Sequence, residues 1–201
     1  MNIVSFWSLE YLMGRWRPTI GDPSFMGWFT AGSYFGCAIF GAIIVLINRK
    51  ADREFFFFWS MISLLMILLG INKQLDLQSL FTEVGRQIAR AQGWMDRRRI
   101  VQFWFIVAFG TTVMGAFLLF VIIMRDLFRR FTLAFTGLFF LLSFIIIRAS
   151  SFHHFDEILG FKFFGAKMNW LLELTGIYLI FIAALKEIFI EIVLLKKMSA
   201  R

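Results

Sequence analysis

Five stretches of the chain, 27–47, 55–71, 101–124, 131–147 and 169–185, are nearly uninterrupted runs of apolar residues. Crossing roughly 30 Å of hydrocarbon takes about 20 helical residues, so these runs approach or reach the length of a membrane span. A chain of 201 residues of which 60% are hydrophobic has too much apolar surface for a water-soluble fold of this size. The spans must be helical, because an isolated strand in lipid leaves its backbone groups unpaired, and no alternating barrel pattern appears. The expected fold is therefore all-α: a polytopic transmembrane helical bundle of about five spans, forming one integral membrane domain over 1–201. The second, fourth and fifth runs are short, which would set their aromatic, Lys and Arg flanks in the headgroup zone.

Charge and chain parity give an orientation. The net charge is +8, but Lys and Arg flank apolar runs instead of lining a soluble face, which points to topology and anionic lipid and away from nucleic acid. One set of connections is short and basic: Arg49 to Arg53, Arg125 to Arg130, and the tail with Lys196, Lys197 and Arg201. The other set is longer and mixed in sign. Density in short loops is what the positive-inside rule weighs, so the N-terminus is expected in the periplasm and the C-terminus in the cytoplasm of a bacterial inner membrane. Residues 1–13 lack a basic leader and carry Glu10, so they read as an interfacial segment, not a cleavable signal. The single cysteine, Cys37, permits no internal disulfide.

Between 77 and 93, Leu77, Leu80, Phe81, Val84, Ile88 and Ala91 recur at helical spacing, with Glu83, Arg86, Gln87 and Arg90 opposite. This predicts an interfacial amphipathic helix closed by Gly93 and anchored by Trp94. Small residues concentrate in the first run (Gly32, Gly36, Gly41) and the third (Ala108, Gly110, Gly115, Ala116), which predicts that these two helices form the centre of the bundle.

The polar residues that interrupt this pattern are the candidate site. Asn72, Lys73 and Asp76 follow the second run; Asn72 can end the helix, Lys73 can snorkel and Asp76 can cap the next helix, or the three can bind a charged headgroup or move a proton. Glu83 at i,i+3 and i,i+4 from Arg86 and Gln87 reads as a solvated pair or as a site member. The only histidines, His153 and His154, precede Asp156 and Glu157; imidazole and carboxylate there could hold a divalent metal ion or form a hydrogen-bonded interfacial network, although no zinc-protease spacing is present. No other cofactor is expected. One histidine locus cannot supply both axial ligands of a transmembrane haem. Glu173, about one turn into the fifth run, is an ionisable group in a membrane and hence a candidate by default, with Arg148 as its expected partner. Lys186, Glu187 and Glu191 read as a solvated face.

The combination Trp16-Arg-Pro-Thr-Ile-Gly-Asp-Pro23, Gly70-Ile-Asn-Lys-Gln-Leu-Asp-Leu-Gln78, Arg148-Ala-Ser-Ser-Phe-His-His154 and Asn169-Trp-Leu-Leu-Glu173 resembles a family of bacterial multipass inner-membrane proteins. The resemblance implies a location in the bacterial envelope and carries no activity with it. The function expected from the residues is binding of a ligand, lipid headgroup or partner membrane protein at an external polar cluster of Asn72, Lys73, Asp76, Glu83, Arg148, His153, His154, Asp156 and Glu173. The alternatives are a membrane-embedded enzyme using histidine and carboxylate, and a structural subunit of a membrane complex.

Overall fold

The structure is a computed structural model and describes residues 17, 20–48, 52–149, 162–163 and 166–199. Among the described residues there are seven α-helices: α1 Phe25–Ile47, α2 Arg53–Leu75, α3 Leu77–Ala91, α4 Arg98–Ile123, α5 Arg125–Phe128, α6 Thr132–Ala149 and α7 Met168–Ser199. A 3-10 turn, Met95–Arg97, precedes α4, and two-residue strands β1 Lys162–Phe163 and β2 Ala166–Lys167 pair antiparallel ahead of α7. By length and hydropathy α1, α2 and α4 can each cross a membrane, and α6 is a shorter apolar helix. The all-helical expectation holds in this form; among the described residues three helices meet the spanning criterion, against the five expected.

Helix ends follow local chemistry. Ser24 caps α1, its hydroxyl accepting the Gly27 amide at 3.1 Å, the bond that satisfies an orphan N-terminal donor. Gly93, at φ +74°, closes α3: the Trp94 amide donates to the Ala89 carbonyl and the Gly93 amide to that of Arg90. These two bonds are the paired closure that a left-handed glycine permits. The second helix runs past Asn72 to Leu75, and the chain turns at Asp76 in the left-handed conformation, φ 47°. Asp76 occupies the N-cap position of α3 but makes no side-chain capping bond; its carbonyl instead accepts from the Ser79 amide and hydroxyl. The expected stop at Asn72 and cap at Asp76 are both corrected in this way.

The packed unit is α1 against α2 and α7, with α7 against α6. Each helix contributes one stripe: Tyr34, Cys37, Ala38 and Ile44 from α1, Trp59, Ile62 and Met66 from α2, Leu138 and Leu141 from α6, Ile177, Ile180 and Ala184 from α7. Phe58, Phe131 and Phe135 cluster at one end of this core, with ring centroids 5.0 Å apart for the stacked pair Phe58–Phe131 and for the tilted pair Phe58–Phe135. The backbones come closest where glycine faces glycine: a Cβ on Gly137 would meet the Gly176 carbonyl oxygen, and one on Gly176 that of Gly137. Small residues allow such close approach between helices in lipid.

The position of α4 overturns one expectation. None of its most apolar 18-residue window is buried, and a Cβ on Gly115 would meet nothing. It therefore lies at the edge, leaning mainly on α6 and reaching the core through Phe117, Phe120 and Val121. Lipid solvates small and large apolar side chains alike, so a glycine-rich run need not turn inward. Glycines at helix contacts include Gly41, which sits on Ser63, Gly70, which sits on Tyr34 and Phe35, and the Gly137–Gly176 pair.

Candidate functional site

Along α2 the buried residues Phe55, Trp59, Ile62, Met66, Gly70 and Lys73 recur at steps of three or four, a single stripe facing the core. Lys73 is the last member of that stripe, so its side chain points inward and does not snorkel. Glu173 begins the equivalent stripe on α7, followed by Ile177, Ile180, Ala184 and Glu187. The two meet: Lys73 Nζ lies 2.9 Å from Glu173 Oε2, with side chains 4% and 3% exposed. Tyr34, on the buried stripe of α1, donates its hydroxyl to Glu173 Oε1 at 3.2 Å. Three helices are thus joined through one carboxylate.

Burying two charges costs several kcal/mol for each ion unless they are paired and hydrogen-bonded. Here each side chain answers the other, and Tyr34 occupies the second carboxylate oxygen.

A strap over residues 20–24 covers the end of α2. The Gly21 amide donates to the Gln74 carbonyl at 2.6 Å, and a Cβ on Gly21 would crowd Asp76. Gln74 Nε2 reaches the Gly27 carbonyl at 3.5 Å, while its Oε1 is buried with no hydrogen-bond partner among the described residues. Asp22 folds over the first turn of α1, accepting from the Ser24 hydroxyl at 2.6 Å and the Ser24 amide at 3.2 Å. Partial burial works to raise the Asp22 carboxyl; the Ser24 hydrogen bonds and the positive charges of Lys73 and Arg148 outweigh it and hold the group below the usual aspartate value. Arg148, at the end of α6, also acts electrostatically on Tyr34, so it belongs to the same locality.

Lys73, Arg148 and Glu173 are therefore gathered, together with Asp22 and Tyr34. Glu173 takes its contacts from Lys73 and Tyr34, whereas sequence reasoning offered Arg148. Asn72 is exposed on α2, its carbonyl accepting the Asp76 amide, and Asp76 shapes the turn. Glu83 stays on α3, accepting from Arg86 at 2.8 Å and Gln87 at 2.7 Å. His153, His154 and Asp156 lie outside the described residues. Among the described residues no three His, Cys, Asp or Glu side chains gather as metal ligands.

A second polar contact lies further along α7. Glu187 is 2% exposed and paired with Arg130, whose guanidinium lies 5.1 Å from the Phe55 ring centre and 5.3 Å from that of Phe131. With its amide nitrogen toward α7, Asn48 donates to both Glu191 oxygens, at 2.9 and 3.1 Å. The expected solvated face is thus corrected at Glu187: its carboxylate is a buried tie. Fourteen residues separate Glu173 from Glu187, about 21 Å along the helix. No protein-family model, curated protein or solved structure matches the chain.

Proposed function

We propose that the chain is a multipass integral membrane protein of the bacterial inner membrane with five spans, α6 and α7 completing the three most apolar helices. The end built from the 20–24 strap, Lys73, Arg148 and Glu173 is its binding face for a polar ligand, a lipid headgroup or a partner protein. The observation that carries this reading is the Lys73–Glu173 pair: two opposite charges almost wholly removed from solvent, near the end of α2 and the start of α7. Ionisable groups inside membrane helices mark functional sites by default. A closed pair orders its surroundings more readily than it reacts, so binding is favoured over catalysis. Asp22 and Arg148, both only half-buried, supply the polar groups a visitor can reach.

The density of basic residues in the short connections assigns this end to the periplasm. A structural subunit of a larger complex is the second reading, favoured by α4, which offers an almost bare helix to its neighbours. The test is native purification of wild type and Arg148→Gln from the same membranes, with bound lipids and proteins identified by mass spectrometry. A species retained by wild type and lost from R148Q, at equal melting temperature, supports the binding face. Identical companions in both sink it.

A further inference from the structure

At the end of the bundle opposite Lys73 and Glu173, a cavity of about 80 Å³ opens between the start of α6 and the middle of α7, lined by Arg129, Arg130, Thr132, Lys186 and Glu187 among others. Three cations face one carboxylate there. Glu187 is already engaged by Arg130, which among the described residues leaves Arg129 and Lys186 as exposed charges in excess.

We propose that this pocket binds a phosphate group, carried by an anionic lipid or present as free phosphate. Arg130 is held in place by Glu187 and lies over the Phe55 and Phe131 rings, so little rotamer freedom remains to be lost when an anion arrives. A guanidinium fixed in this way presents its remaining N–H groups in a geometry that suits phosphate oxygens. The pocket also lies against the first residues of α6, where the helix dipole favours negative charge. Basic pockets between membrane helices at the headgroup level are a recurrent setting for anionic lipids. Arg129 and Lys186 act as the capturing charges, and Arg130 as the fixed one.

The test uses the full chain in two arms. In the first, native mass spectrometry compares retention of phosphatidylglycerol and phosphatidylcholine; in the second, inorganic phosphate alone is titrated against tryptophan fluorescence. Wild type is expected to prefer phosphatidylglycerol, and R129Q/K186Q to lose about 25-fold in that affinity, near tenfold for every 1.4 kcal/mol and about 1 kcal/mol for each basic residue at a membrane surface. Binding seen only in the phosphate arm, and lost in the same variant, identifies a soluble anion as the source. Arg125→Gln, an exposed arginine paired with Asp126, should keep the preference. R129Q and K186Q taken singly, each with a partial loss, replace the double variant should it fail to fold. Equal retention of the two lipids by wild type with no phosphate response, or affinity unchanged in these variants, overturns the proposal.

Discussion

Lys73 and Glu173 can be separated energetically by a double-mutant cycle. Their side chains are 4% and 3% exposed and 2.9 Å apart, so removing either charge strands the other in a dry interior. Breaking a buried pair on one side typically costs about 3 to 5 kcal/mol, because the remaining ion is uncompensated. Lys73→Met keeps length and removes charge; Glu173→Gln keeps shape and still accepts from Tyr34. Each single variant is expected to lose about 3 to 5 kcal/mol. The double variant leaves only a neutral amide without its former partner, worth about 1 to 3 kcal/mol. Two single losses of at least about 3 kcal/mol against a double loss of at most about 3 leave a coupling of about 3 kcal/mol or more. Equilibrium unfolding in mixed micelles, followed by tryptophan fluorescence, measures all four corners. Losses that simply add, to within about 0.5 kcal/mol, would show that the two residues do not depend on each other and would refute the three-helix tie.

Further outcomes follow from the same geometry. Tyr34→Phe removes one 3.2 Å bond to a charged acceptor and should cost about 1 kcal/mol, between the roughly 0.6 average for interhelical bonds in membranes and the 1.5 to 3 for charged acceptors; an unchanged midpoint counts against the third helix in the tie. Gly137→Ala and Gly176→Ala each drive a methyl into the facing backbone and should lose about 1 to 3 kcal/mol, whereas Gly32→Ala, which meets open space, should lose nothing; equal effects at the three sites would contradict the α6–α7 contact. Asp22 titrates below its ordinary value when folded, so it contributes stability above the unfolded aspartate range near 3.8 that is lost as pH falls through the folded value. Wild type should therefore converge on Asp22→Asn in melting temperature below about pH 4, and a gap that widens there contradicts the assignment.

The runs 27–47 and 55–71 lie within α1 and α2 because long apolar stretches admit little besides helix in this setting. Inside those helices the signal changes character. In water an apolar stripe marks the buried face, but a helix surrounded by lipid is apolar on every side, so the edge position of α4 leaves no trace in its composition. The polar residues were the more informative ones. Lys73 continues the α2 stripe through Met66 and Gly70, and Glu173 and Glu187 share one face of α7; following those stripes points both carboxylates inward. Tyr34 was passed over because a single aromatic hydroxyl in an apolar run looks like any other interfacial ring. Its place among Ala31, Ala38 and Gly41 on the buried stripe of α1 was the signal available. Gly137 and Gly176 escaped notice since each is isolated in its own run, and only the crossing of α6 and α7 brings them together.

In the proposed arrangement, the end bearing Lys73 and Glu173 and the end bearing Arg130 and Glu187 face opposite sides of a bilayer, with α4 crossing between them. Arg90, on α3, and Arg125, just after α4, flank that crossing and are both exposed. Single cysteines placed at these two positions, in a Cys37→Ser background and in intact cells, can be treated with a membrane-impermeant thiol reagent. This arrangement predicts labelling of Arg90→Cys from outside and of Arg125→Cys only after the membrane is opened. Both positions reacting equally in intact cells would contradict it.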